Sequence, residues 1–261
     1  MKNFAVIGDP IEHSLSPILH NAINKQMGFN VRYEKILVKS DTLSSFMNNK
    51  KVACFNVTIP HKQSVIPFLD RVDEAARKIG AVNCIHHKVG YNTDWLGFLY
   101  LMKKNSITVK GKDCLILGSG GAAKAVAYGL VTGNANSISV KNRTKLHSDQ
   151  FIDWVRSISP DLISNKIPHL IINCTPIGMW PKITENPAVE TFEEQTLIDT
   201  IYNPIETKWI KLNKRKVNKV VGGLDMFIAQ GLASADIWYG DNISEKIDLE
   251  PIKEELKSKL C

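Results

Sequence analysis

Two regions of this sequence carry residue types whose spacing suits chemistry, and the clearer is Gly118-Ser119-Gly120-Gly121-Ala122-Ala123, between an apolar stretch and a helical one. In this Gly-x-Gly-x-x-Ala pattern, Gly118 would permit a tight turn and Gly120 would let backbone approach a pyrophosphate. Ala123 is small enough for a helix to lie close on a strand. Amides and the positive end of the helix dipole then hold phosphates. A glycine-rich loop alone is only a turn; the strand before it and the helix after it make it a nucleotide fingerprint. About 20 positions on, where an acidic residue would bond the ribose 2′-hydroxyl of NAD, the chain has Asn142-Arg143-Thr144-Lys145. No carboxylate there repels a 2′-phosphate, and the Arg143 guanidinium can bond one in bidentate fashion. The predicted cofactor is therefore NADP. Taken singly, Arg143 and Lys145 would be solvated residues at a helix start.

The second region is Asn56-Val57-Thr58-Ile59-Pro60-His61-Lys62, in which an apolar strand runs into a proline that stops the ladder and turns the chain outward. A lysine placed there can keep its aliphatic stem in the protein and turn its amine to a cleft. By itself such a lysine is a solvated surface residue. Polar, anion-friendly groups recur at other element ends, however: Ser14, Ser16, Thr58, Asn83, Asn92, Asp94 and Gln230. Each of these alone would be a cap, a turn residue or an exposed polar group.

The elements that must position these residues follow from hydrophobic periodicity. Phe4–Ile7 reads as a buried strand ending at Gly8, and Ser16-Pro17 as an N-cap followed by proline at the first helical position of a helix to about Gly28. Val31–Val38 and Val52–Val57 read as strands, with a short helix around Leu43–Phe46 between them. Asp94 stands where an N-cap would start a helix through Met102, and 106–112 is a plausible link. Alternation restarts with strand Cys114–Leu117, helix 122–131 and strand Ile138–Val140. Leu170–Ile172 and Leu197–Asp199 read as further strands, each followed by a loop with a proline, and 225–239 as a helix. Such alternation implies parallel sheets with helices on their faces.

Composition narrows the function classes. At 261 residues, 44% hydrophobic and 23% charged, the chain has apolar material for a core in each of two domains. The net charge of +7 would suit nucleic acid, small anions or phosphorylated cofactors. Its densest basic stretch, Lys211 to Lys219, has no interleaved aromatic residues for base stacking and reads as a solvated helix end. No apolar run approaches the ~18 residues of a membrane span, and the first apolar stretch reaches Gly8-Asp9-Pro10 too early for a signal-peptide core. Five cysteines, odd in number and far apart, read as reduced thiols in a reducing compartment, with no metal site expected. The expected setting is the cytoplasm, with a small-molecule substrate, no nucleic acid and no membrane.

Taken together, the motifs resemble those of shikimate dehydrogenases, in family order from about residue 4 to 235. They are Ser14-Leu15-Ser16-Pro17, the Asn56–Lys62 run, Gly80-Ala81-Val82-Asn83, Asn92-Thr93-Asp94-Trp95-Leu96-Gly97, Gly118–Ala122, Asn142-Arg143-Thr144, Asn173–Met179, Tyr202-Asn203-Pro204 and Gly223–Gln230. The resemblance implies an α/β fold of two domains: an N-terminal α/β substrate domain (1–105 and 227–261) and a Rossmann-type, doubly wound NADP domain (106–226). It implies reversible NADPH-dependent reduction of 3-dehydroshikimate to shikimate, by a monomer or homodimer. It further implies that Lys62 and Asp94 form the catalytic pair and that Ser14, Ser16, Thr58, Asn83, Asp94, Tyr202 and Gln230 hold the substrate. Gly118, Ser119, Gly120, Gly121, Ala122, Asn142, Arg143, Thr144, Ile201 and Gly223 would line the cofactor. Three positions depart from the family pattern. Cys84 replaces a common Thr; His147 stands where a second basic residue is usual, with Lys145 to compensate; and Asp225, where a small residue is common, would cap the final helix. The alternatives are a quinate/shikimate dehydrogenase using NAD and a catalytically silent metabolite-binding regulator. Retention of both Lys62 and Asp94 speaks against the silent relative.

Overall fold

The computed structural model describes residues 2–48, 53–164 and 166–260. Contacts divide the chain into two compact units, Met1–Thr93 with Ile228–Lys259, and Asp94–Phe227.

The first unit is built on β1 (Lys2–Gly8), α1 (Ser16–Gln26), β2 (Val31–Leu37), α2 (Leu43–Asn48), β3 (Cys54–Val57), β4 (Arg71–Val72), α3 (Glu74–Ile79), β5 (Cys84–His86) and β6 (Val89–Tyr91). Val52, the expected start of β3, lies outside the described residues. The sheet has the order β2-β1-β3-β5-β6-β4. β1 pairs in parallel with β2 and β3, as the alternation predicts. The other half differs: β5 runs antiparallel to both β3 and β6. The reason is local. His87 and Lys88 form a two-residue turn between β5 and β6 with φ of 47° and 62°, and so tight a hairpin returns the chain antiparallel. Side chains of β1 alternate between two cores. Ala5 and Ile7 pack with Phe55, Val57 and Val82, whereas Phe4 and Val6 pack with Tyr33, Cys84 and Trp238. A strand covered on both faces needs such a continuous apolar run.

The second unit holds α4 (Asp94–Lys104), β7 (Asp113–Leu117), α5 (Gly121–Thr132), β8 (Ser137–Lys141), α6 (Lys145–Ile158), β9 (Leu170–Asn173), β10 (Thr196–Asp199), α7 (Lys208–Asn213) and β11 (Lys219–Val221). Its sheet, β11-β10-β9-β7-β8, is parallel throughout. A boundary after residue 105 would leave α4 with the first unit, but contacts group it with the second, where it packs on α5. The Phe98 ring lies only 2.8 Å from where a Cβ on Gly129 would stand, so a glycine is what lets the two helices approach.

The division falls within α8 (Leu224–Tyr239), and α9 (Ile243–Lys246) and α10 (Leu249–Lys257) follow. Asp225, expected to cap α8, is instead its second residue and stands in its first turn. Its Oδ1 accepts from Lys104 Nζ at 2.6 Å, a half-buried pair that ties the first turn of α8 to the end of α4. Among the described residues no helix is long and apolar enough to cross a membrane.

Candidate active site

In the first unit Ser14 lies in the loop after β1 and Thr58 directly after β3, both beyond the carboxyl ends of parallel strands, the usual ligand-binding edge of α/β sheets. Where β1 and β3 end, Thr58 N donates to Ile7 O (2.9 Å) and Asp9 N to Ile59 O (3.0 Å), so the loops bearing Ser14 and Lys62 leave from neighbouring strands. Ser16 was expected to cap α1, but Leu15 holds that position and Ser16 is the first helical residue. The Ser14 hydroxyl does the local bonding: its Oγ accepts from Ser16 N at 3.3 Å and lies 3.2 Å from Ser16 Oγ. The two hydroxyls are thereby paired on one loop.

Lys62 is half-buried, and the chain on each side of its side chain is fixed. The buried His61 ring reaches Val38 O at 2.6 Å, while Lys62 O accepts from Val82 N at 2.7 Å. Asn83 is oriented still more firmly. Its Oδ1 accepts from Thr93 N (2.7 Å), and its Nδ2 donates to Thr93 Oγ1 (3.0 Å) and to Gln230 Oε1 (3.3 Å). Asp94 follows Thr93 directly; it is buried and opens α4.

Beneath these groups runs a buried polar network that periodicity alone does not reveal. Asn56 Nδ2 donates to Asn83 O and Ser234 Oγ, each at 3.0 Å, and its Oδ1 accepts from Tyr33 Oη at 2.7 Å. Ser234 Oγ also lies 3.2 Å from Thr93 Oγ1 and donates to Gln230 O at 2.9 Å. The one signal for Ser234 is its place four residues after Gln230, on the same helical face. His20 stacks on Tyr33 with ring centroids 4.4 Å apart. Burial holds its pKa down to about 3 and pushes the Tyr33 hydroxyl up. Both rings are therefore neutral, and the network presents no charge of its own beside the expected substrate ligands.

In the second unit the sheet's strand order reverses at β7 and β9, the switch point where such sheets leave a crevice. Gly118 follows β7 at φ +100°, a conformation a side chain resists, and a Cβ there would stand 3.3 Å from Cys174 O. Gly120 is the N-cap of α5, with no side chain capping the first amides. A Cβ at Gly120 would meet nothing within 4 Å. Open space beside unclaimed helix amides is what a pyrophosphate requires, so these residues fit a dinucleotide. At the end of β8, Asn142 Nδ2 donates to Thr144 O (3.2 Å), and Arg143 is exposed. Lys145, expected to compensate for His147, pairs with Asp149 at 3.0 Å.

Ile201, Tyr202 and Gly223 come together in the second unit as well. Gly223 N donates to Ile201 O at 3.0 Å, and Tyr202 stacks on Phe227 with centroids 4.2 Å apart. The loops after β9 and β10 are pinned by Asp199. Its Oδ1 accepts from Asn173 Nδ2 (3.0 Å) and Ile201 N (3.1 Å), and its Oδ2 from Thr207 Oγ1 (2.7 Å).

Burial pushes the Asp199 carboxyl from 3.8 up to about 6, against the three hydrogen bonds that pull it down. Because the folded state holds this proton more tightly than the unfolded chain, stability from the group is complete below about pH 4 and is lost as pH rises through about 6. Asp199→Asn removes that titration. The unfolding free energy of the native protein, minus that of Asp199→Asn, should therefore fall by about 1–3 kcal/mol between pH 4 and pH 7. Urea unfolding of both proteins across this window measures the difference, and a flat difference would contradict the assignment.

Comparison with known proteins agrees with this geometry. Residues 6–85 match the family model described as the shikimate dehydrogenase substrate binding domain. A protein of Methanosphaera stadtmanae named shikimate dehydrogenase (NADP+) is 36% identical, over 97% of this chain and 96% of its own. Among solved structures, shikimate 5-dehydrogenase of Thermus thermophilus in complex with NADP(H) and shikimate superposes with a TM-score of 0.88 at 29% identity, covering 100% of both chains. A ligand-free 5-ketofructose reductase of a Gluconobacter strain gives 0.85 at 28% identity over 98% of each chain, so the fold by itself does not name the ketone. Motif order, sheet topology and full-length identity to the Methanosphaera protein converge on one assignment: the chain belongs to the shikimate dehydrogenase family.

Proposed function

We propose that the chain is an NADP-dependent shikimate dehydrogenase, reversibly reducing 3-dehydroshikimate to shikimate in the pathway to chorismate and the aromatic amino acids. The observation that supports this best is the bond from Asn83 to Gln230. It joins two expected substrate ligands, 147 residues apart in sequence, into one fixed polar surface in the first unit. Such a surface presents oriented amides to ring hydroxyls.

In this reading Ser14 and Ser16 donate their paired hydroxyls to the substrate carboxylate, while Thr58, Asn83, Tyr202 and Gln230 take the ring hydroxyls. Bound NADPH supplies a hydride to the ring carbonyl carbon. The Lys62 ammonium donates the proton that the carbonyl oxygen takes up and bonds the alkoxide as it develops. Asp94 keeps that ammonium charged and aimed. Gly118–Ala122 hold the pyrophosphate, Asn142–Thr144 the 2′-phosphate, and Ile201 with Gly223 line the nicotinamide side. The protein acts in the cytoplasm as a monomer or homodimer, on small molecules alone. Parts of the basic stretch are already engaged within the fold: Lys214 pairs with Glu206 at 2.9 Å, and Lys219 Nζ donates to Asn105 O.

Initial rates with shikimate or quinate, each with NADP+ or NAD+, test the reading by cofactor absorbance. Shikimate with NADP+ should dominate the four arms. Comparable turnover of quinate with NAD+ would instead make the chain a quinate/shikimate dehydrogenase, and no turnover in any arm would make it a silent binder.

A further inference from the structure

One cluster outside the expected active site brings together soft metal ligands. Cys54 Sγ, one ring nitrogen of His86 and one of His87 all lie within 4.8 Å of one another. Sequence spacing hides this group, because Cys54 has no cysteine near it and the two histidines stand some thirty residues away. The sheet assembles it: Cys54 and His86 are directly opposed in the antiparallel β3–β5 pair, so their side chains share a face.

The third member is held there at a conformational cost. His87 takes the first position of the β5–β6 turn at φ 47°, where Asn-Gly would be the unstrained choice, and Lys88 follows at φ 62°. Its N–H donates to Ala53 O at 2.8 Å, locking the turn onto the start of β3. The His87 ring lies 4.5 Å from that of His86, centroid to centroid, with 41° between planes. Backbone pairing thus brings all three residues together, leaving only their side chains to adjust. Cys54 also packs in the core with Phe4 and Trp238, which keeps one side of the cluster dry.

We propose that Cys54, His86 and His87 bind a borderline-soft divalent transition-metal ion of the Zn²⁺ type, with water as fourth ligand. One thiolate and two imidazoles suit such an ion, whose bonds of about 2.3 Å to sulfur and 2.1 Å to nitrogen set ligand separations of about 3.5 Å in a tetrahedron. Rotation of the side chains by about an ångström closes the cluster to that size. Binding releases the thiol proton of Cys54 to solvent and leaves the metal's charge state unchanged. The ion clips the β5–β6 turn to the start of β3. Cys54 precedes Thr58 by four residues, about 13 Å along an extended strand, so the ion lies at the opposite end of β3 from Lys62 and takes no part in ketone reduction.

Titration of the full-length, chelator-treated protein with Co²⁺ tests the site, because a thiolate ligand gives a sulfur-to-cobalt charge-transfer band and a tetrahedral site gives intense visible bands. About one Co²⁺ per chain should bind, and Zn²⁺ should displace it. Cys54→Ser should abolish the charge-transfer band. His87→Asn, which keeps a residue tolerant of the left-handed turn, should weaken binding at least about tenfold while the protein stays folded. Absence of the band in the unmodified protein, its survival in Cys54→Ser, or unchanged affinity in folded His87→Asn would each overturn the proposal.

Discussion

Lys62→Ala is expected to lower kcat by about 10²–10⁴, the usual worth of a positioned acid or base, while KM for shikimate changes far less. The expectation rests on where the residue stands. Its backbone is clamped by the Val82 amide, and the neighbouring His61 ring reaches Val38 O, so the side chain leaves a turn beyond β3 that is tied down on both sides. Truncation to Ala therefore removes the proton donor and alkoxide partner without disturbing the oriented amides of Asn83 and Gln230. Lys62→Arg should not restore turnover, because a guanidinium stays protonated and shuttles protons poorly. If Asp94 has the role proposed for it, Asp94→Asn should raise KM and lower kcat together, because the variant would lose both a ring contact and the charge that aims the lysine. Steady-state kinetics of the three variants separate these roles. Near-normal kcat with greatly weakened shikimate binding in Lys62→Ala would make the lysine a ligand and not the catalyst.

Arg143→Ala is expected to cost about 1–3 kcal/mol in kcat/KM for NADPH, roughly 5- to 150-fold, with little change for NADH. Arg143 is exposed at the end of β8, and the nearby cation Lys145 is occupied by Asp149. With His147 in place of the family's usual second basic residue, the proposed reading makes Arg143 the main cation for a 2′-phosphate. Parallel NADPH and NADH kinetics check this. Equal losses with both cofactors would show that Arg143 supports the fold of the loop and not the phosphate.

The sequence was most legible where an element's whole signal is local. β7, the glycine loop and α5 could be placed from the four apolar residues Cys114–Leu117, a Gly-x-Gly pattern and the helical stretch after it, although β7 itself begins one residue earlier, at Asp113. Strands β5 and β6 were not, because three residues give too short a period and the His87-Lys88 turn has none of the glycine or asparagine that marks such hairpins. Helix α3 had readable ends, an Asp73 cap bonded to Ala75 N and a left-handed Gly80, but its six residues offer little periodicity. Ser16 shows the limit of a cap motif. Ser14 supplies the hydroxyl that bonds the Ser16 amide, and the helix starts one residue earlier than Ser-Pro suggests.

The expected site residues were legible as types at element ends, but not as partners. Nothing along the chain says that Asn83 meets Thr93 and Gln230, or that Asn56 and Ser234 lie beneath them. Those bonds come from sheet register and from the return of α8 to the first unit after an intervening domain. The same holds for Asp199, whose three bonds join loops that sequence presents as separate proline-containing turns.

In the proposed function this chain transfers hydride between NADPH and one ring carbon of 3-dehydroshikimate, with Lys62 supplying the proton. The most direct measurement is to mix the enzyme with 3-dehydroshikimate and NADPH carrying deuterium on its transferable position, and to locate the label by NMR. Deuterium should appear on the shikimate carbon that gains the hydroxyl, in step with NADP+ formed, and should do so far more slowly with Lys62→Ala. Label that stays on the cofactor while 3-dehydroshikimate is recovered unchanged would contradict the claim.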